Sequence, residues 1–425
     1  MKHRGRHRRR HRGRALRATL AGTALALTAA ATMISTSQAT DADDPGALTP
    51  LTAAADTAPL RLTEHAVPGA ELRRLTASMG PAVGVGAVLA DPDGALQDAD
   101  ACSDDDRRRA LPVEPAVTTA YCWPERDTDG WRAGAVTTSG DADEDGRWGA
   151  HRVVLSGWTR DSGTPAEQGL ARIAFVAADD DRAPRYTWAL LAVPVDGGRD
   201  FRGLGSDVSG MVWYQDKLLV TTGRGEGGAL YVYDLDRVQR ATVDARAVGR
   251  VPGGWSAAGA RYVLPAVASY ATTGPGAPRP GGISLDRTTT PDSLVVHEAT
   301  APDEEGPTRL WRYAFGPRPQ YGPLLRTRPV AVYETELTHV RGVLAYRSDW
   351  YVSRGSGTPE ERGTLWRQDT KGASPVRCGA DETYRCWSGP ATSLSYWQAT
   401  GDVWSQSGRT LFSLPLAAVD EALER

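Results

Sequence analysis

Lysine is almost absent from this 425-residue chain: Lys2, Lys217 and Lys371 are the three that occur. So few lysines leave no SxxK nucleophile, and no GxSxG elbow is present either, so neither common serine-hydrolase signature applies. Histidine is scarce as well. Beyond the first eleven residues only His65, His151, His297 and His339 remain to act as general bases or metal ligands. The four cysteines show no CxxC spacing, which removes the usual zinc sites. After the first forty residues no apolar run is long enough to cross a membrane as a helix. Phe numbers 4 against 13 Trp and 14 Tyr, so the large rings carry a polar edge almost throughout.

The positive charge is concentrated at the start. Lys2 and the arginines from Arg4 to Arg17 give nine cations and no acid, followed by an apolar stretch from Ala15 to Ala31 and then Ser37-Gln38-Ala39. Basic, apolar and small-residue segments in that order predict a secretory signal peptide over residues 1–39, with cleavage after Ala39. The whole chain carries 49 − 52 = −3; without the nine leader cations it carries 40 − 52 = −12. An acidic protein of this kind is poorly suited to nucleic-acid phosphates or anionic membranes. The expected product is therefore secreted, extracellular and monomeric, with no membrane span and no nucleic-acid partner. In an oxidising compartment Cys102–Cys122 and Cys378–Cys386 are the expected disulfides, each closing a short local loop.

Residues 40–60 are Ala-, Thr-, Asp- and Pro-rich and read as a disordered leader. Residues 61–145 read as an N-terminal extension tied by a disulfide. From residue 146 to 417 strand-like runs recur and helical periodicity is nearly lost. The clearest unit is Asp207–Leu235, with strands at Gly210–Tyr214, Lys217–Thr222 and Ala229–Leu235. Gly210-Met-Val-Trp-Tyr returns as Gly342-Val-Leu-Ala-Tyr and as Ser393-Leu-Ser-Tyr-Trp. The third strand carries Leu230-Tyr231, Leu365-Trp366 and Leu411-Phe412. Inner strands are expected near 152, 208, 262, 340 and 392, a mean spacing of (392 − 152)/4 = 60 residues. A small sheet cannot bury both faces alone, whereas several in a ring can. The predicted fold is all-β, a β-propeller of five blades, with six blades or a β-sandwich as alternatives; residues 418–425 form a short tail.

Residues 146–417, on the segments Gly210–Leu235, Arg341–Trp366 and Leu394–Leu416, resemble a group of exported actinobacterial proteins of unknown function. The resemblance implies propeller-like repeats and export, and it assigns no catalytic residue.

Gly223, Gly225 and Gly228 satisfy GxGxxG, but a strand follows where a dinucleotide site needs a helix, so the stretch reads as a hairpin. Asp141, Asp143 and Asp145 followed by Gly146 have the alternation of a calcium loop, although its ninth and twelfth positions are Gly149 and Arg152. Calcium is the one cofactor the sequence suggests. The residues ahead of each expected inner strand are His151, Asp207, Arg261, His339, Arg341 and Thr392. They should converge on one mouth of the central channel and form a ligand-binding site. A non-enzymatic binding propeller for an extracellular glycan or protein is the leading reading. The alternative is a glycoside hydrolase or lyase, for which Asp207 and Asp286 are the candidate carboxylates.

Overall fold

The computed structural model describes residues 44–425 except 165–166, 180–182, 226–229, 273–276, 302–305, 317–323, 357–360, 381 and 425. The expected signal peptide lies outside the described residues. Residues 44–425 form one compact unit.

Short runs of Val, Leu, Trp and Tyr, broken by Gly, Asp and Pro, fold as antiparallel meanders, and the described residues make five of them. The first runs through Trp131–Thr138, Val153–Arg160, Ala171–Ala177 and Arg185–Val195. The second is Ser206–Tyr214, Lys217–Gly225, Leu230–Asp234 and the distal half of Tyr262–Thr272. The third is Pro280–Asp286, Ser293–Glu298, Thr308–Ala314 and Ala331–Thr335. The fourth is Val340–Tyr346, Asp349–Arg354, Thr364–Gln368 and Ala373–Pro375. The fifth is Ser395–Trp397, Asp402–Ser407 and Thr410–Pro415, completed by Thr119–Cys122 from the other end of the chain.

The inner strands share a small residue at one level: Gly134, Gly210, Gly282, Gly342 and Ser393. A Cβ on Gly134 would lie 2.2 Å from the Val208 carbonyl oxygen, one on Gly210 2.5 Å from the Ile283 nitrogen, one on Gly282 3.4 Å from the Arg341 carbonyl oxygen, and one on Gly342 3.3 Å from the Ser393 Cα. Ser393 Oγ then accepts from the Val136 backbone N–H at 2.8 Å, returning to the first sheet. Each inner strand thus touches the next, and the last touches the first. This closed ring of sheets is a β-propeller.

Alternate side chains face alternate neighbours. Met211, Trp213, Leu218 and Val220 pack toward the first sheet with Leu155 and Phe175, whereas Val212 and Leu219 pack toward the third with Ile283 and Leu294. Strands buried on both sides read as continuous apolar runs for this reason. Trp213, Ala345 and Tyr396 hold equivalent places, each pairing with the second residue of the following strand: Leu218, Trp350 and Val403.

Several expected boundaries move. The propeller begins at Trp131, not at residue 146, and Thr119–Cys122 is also part of it. The expected inner strand near 152 is the second strand of its sheet. The run beginning at Tyr262 is an outermost strand, pairing in parallel with Ala189–Ala192 and then antiparallel with Leu230–Tyr233. Burial under both sheets gives it the apolarity of an inner strand. The described part of the expected leader, residues 44–60, is ordered: Thr49–Pro50 pairs with Tyr333–Glu334, and Leu48 and Leu60 are buried. The supposed tail is a helix, Leu416–Leu423, that buries Val419, Ala422 and Leu423.

Both expected disulfides form. Cys102–Cys122 pins the strand that closes the ring, with Cα atoms 5.5 Å apart, and Cys378–Cys386 ties the loop after the fourth sheet. No helix among the described residues is long and apolar enough to cross a membrane.

Candidate functional site at the channel mouth

The inner strands run in one direction along the ring, so the residues at their starts share one rim. A cavity of about 980 Å³ opens there. The first sheet supplies Arg132 and Gly134, the second Asp207 and Ser209, the third Arg279, Gly281 and Gly282 with His297 and Glu298 beside them, the fourth Arg341, and the fifth Thr392. Its lining holds no Phe, Tyr or Trp among the described residues.

Hydrogen bonds fix this rim. Arg132 donates from Nη2 to Asp207 Oδ1 at 2.6 Å and also reaches Asp161 at 3.2 Å, so it links first and second sheets. The Thr392 hydroxyl donates to the Gly134 carbonyl. The Ser209 and Thr221 hydroxyls both reach the Gly281 carbonyl, at 2.9 and 2.5 Å. His297 is buried against Gly281 and Gly282, where a Cβ would lie 2.6 Å from its ring in either case. Its Nε2 accepts from the Gly282 N–H at 2.7 Å, so Nδ1 carries the proton and donates to the Glu298 carbonyl at 2.8 Å. Burial pushes its pKa down to about 4, which keeps the ring neutral at ordinary pH. Both nitrogens are engaged, and His297 serves to lock the third sheet's inner edge.

Of the six residues expected at the mouth, Asp207, Arg341 and Thr392 line the cavity. His339 sits one residue from the lining residue Val340, with Nδ1 3.1 Å from the Thr338 hydroxyl, and does not itself line it. His151 and Arg261 lie elsewhere. His151 lies two residues before a second strand, Val153–Arg160, and antiparallel pairing puts that start at the far end of the ring; its Nδ1 lies 2.7 Å from Asp179. Arg261 precedes an outermost strand and pairs with Asp91 and Asp93 at 2.6 and 2.7 Å. Arg132, Arg279, His297 and Glu298 were not anticipated. The signal for Arg132 was available: Arg132-Ala-Gly-Ala-Val has the pattern of Val208-Ser-Gly-Met-Val and Val340-Arg-Gly-Val-Leu.

Asp286 is not at the mouth. It lies at the far end of its inner strand in a buried ion pair with Arg312, Oδ2 to Nη1 2.6 Å. The three carboxylates of the suggested calcium loop are not brought together. Asp143 and Asp145 are exposed, whereas Asp141 turns inward on the short helix Ser139–Ala142. Its Oδ2 accepts from Thr137 Oγ1 at 2.7 Å and Ser395 Oγ at 2.9 Å, and its carbonyl accepts from Arg287. Burial pushes the Asp141 pKa up to about 6. This helix follows the far end of the first inner strand and lies against the inner strands of the second and fifth sheets. Among the described residues, the acids that do cluster are Asp216, Asp234 and Asp236, and Lys217 Nζ already occupies that cluster, 3.5 Å from Asp234.

No described protein family matches the chain, and no curated protein does. Among solved structures it is similar to a gluconolactonase from Xanthomonas campestris, at 15% identity over 79% of this chain and 97% of that one, with a TM-score of 0.28. So low a score adds no weight to the fold, which rests on the strand pairings, or to any activity.

Proposed function

We propose that this is an exported propeller that receives a polar extracellular ligand, a short glycan or a segment of another protein, in the channel mouth without transforming it. The observation that carries the reading is the rim itself. It is a cavity of about 980 Å³, at the upper end for a small-ligand cleft, lined by arginine, carboxylate, hydroxyl and backbone groups. Its histidine has both nitrogens engaged, and its Asp207 is held by Arg132. Export is supported by the basic-then-apolar leader and by the two disulfides. Nothing basic enough for nucleic acid remains once the leader is set aside. A monomer suits a fold that closes on itself.

One observation favours the second reading, glycoside hydrolysis: Asp207 and Glu298 both line the mouth, and that chemistry needs two carboxylates. One experiment separates the readings. Short soluble oligosaccharides and soluble peptidoglycan fragments are titrated into the protein by calorimetry, and the same samples are assayed for new reducing ends. Saturable binding that Arg341→Glu abolishes, with no new reducing ends, supports reception. New reducing ends that Asp207→Asn abolishes would establish the hydrolase instead.

A further inference from the structure

A second cavity, of about 370 Å³, opens on the first sheet and shares no lining residue with the mouth. Arg172 forms its wall. The guanidinium is sandwiched between two indoles, its Cζ 3.8 Å from the Trp131 ring centre and 3.6 Å from that of Trp188. One Nη donates to the Asp127 backbone carbonyl, and the buried Nε meets no acceptor among the described residues. Arg160 lines the same cavity, 5.3 Å from Trp131, and bonds a backbone carbonyl of Ser162. Neither arginine has a carboxylate within ion-pair distance among the described residues, whereas most other buried or half-buried arginines of this acidic chain do.

The carboxylates of the lining are largely spent. Asp93 takes Arg261 Nε at 2.7 Å and the Trp188 N–H at 2.7 Å, and Asp127 accepts from the Tyr186 hydroxyl. Asp129 remains, exposed at the rim. Two cations without paired anions, one fixed between aromatic plates, form a preorganised donor edge. The cost of that burial shows in Arg172, whose pKa burial and then Arg160 push down to about 9. An incoming anion would offset both by favouring the charged guanidinium. The indole faces are covered by arginine, so a sugar ring has no open plate to stack upon. What the cavity offers is charge and hydrogen-bond donors.

We propose that this cavity binds the oxyanion, carboxylate or phosphate, of a small sugar-sized molecule through Arg172 and Arg160. The test is a titration of the full chain with glucuronate, glucose 6-phosphate and uncharged glucose, read by tryptophan emission, since Trp131 and Trp188 flank the guanidinium. Saturation by either anion but not by glucose is expected, and the one that saturates identifies the oxyanion. A lost charge-assisted hydrogen bond is worth a roughly tenfold or larger change in Kd, so Arg160→Gln and Arg172→Lys should each weaken binding that much. Asp129→Asn should tighten it, and Arg341→Glu at the mouth should leave it unchanged. Failure of both anions to saturate below about 10 mM overturns the proposal, as does glucose binding equally well. Unaltered affinity in Arg160→Gln together with Asp129→Asn, two rim changes that spare the sandwich, overturns it as well.

Discussion

Two buried groups with opposite titration behaviour give a quantitative test of the packing around the ring. Asp141 is raised by burial from 3.8 to about 6, so between those values the native protein binds a proton that the unfolded chain does not. Stability from this group therefore grows as pH falls from about 6 to about 4. His297 is lowered by burial from 6.5 to about 4, so in that window the unfolded chain holds the extra proton. Stability from His297 is lost as pH falls through the same range. Each displacement is worth about 3 kcal/mol at about 1.36 kcal/mol per pH unit, and in the wild type they nearly cancel. Asp141→Asn removes one side of the balance. Its amide can accept from the Thr138 N–H and donate to the Thr137 and Ser395 hydroxyls, so the site need not empty. The variant should be more stable than wild type by about 3 kcal/mol at pH 7.5 and by only about 1 kcal/mol at pH 4.5. His297→Gln should shift the profile the other way. Guanidinium midpoints read by tryptophan emission at the two pH values measure both, and taking each variant against wild type removes the titration of all other groups. A stability difference for Asp141→Asn that is the same at both pH values would refute the assignment of Asp141 as a buried, mostly protonating carboxylate.

The remaining expectations concern closure and the rim. Gly134→Ala, whose Cβ would lie 2.2 Å from the Val208 carbonyl oxygen, should cost about 1–3 kcal/mol or more, while Gly205→Ala, with no atom within 4 Å, should be neutral or mildly stabilising; thermal melts compare them. Replacing Cys102 and Cys122 by serine should cost about 3 kcal/mol, and limited proteolysis should then cut near residues 103–118 first. Asp286→Ala leaves Arg312 buried without its partner and should cost about 3–5 kcal/mol, read by the same melts.

What could be read from the chain follows from what local sequence reports. The second and fourth sheets were legible because both begin with tight hairpins, at Gln215-Asp216 and Arg347-Ser348, between apolar runs. The disulfides were legible because each joins cysteines close in sequence. Asp207, Arg341 and Thr392 were placed at the mouth because those inner strands were found correctly. Arg261 was misplaced because apolarity reports burial and not distance from the axis: Tyr262–Thr272 is buried at the outer edge as thoroughly as any inner strand. His151 was misplaced because the first inner strand, Trp131–Thr138, is cut off from its partner by the segment carrying Asp141, whose acids drew the strand boundary too late. The pairing of Thr119–Cys122 with Thr410–Ser413 joins residues nearly three hundred apart, and no window along the sequence contains both.

The mouth exists only if the first and last sheets meet. Backbone hydrogen exchange of the full chain measures this closure directly. Amides of Thr119–Cys122 and Trp131–Thr138 should exchange as slowly as those of Asp402–Ser407 and Thr410–Pro415, and should speed up together when Cys102 and Cys122 are replaced by serine. Fast exchange throughout 119–138 while the later strands stay protected would contradict it, leaving an open arc of sheets with no shared rim.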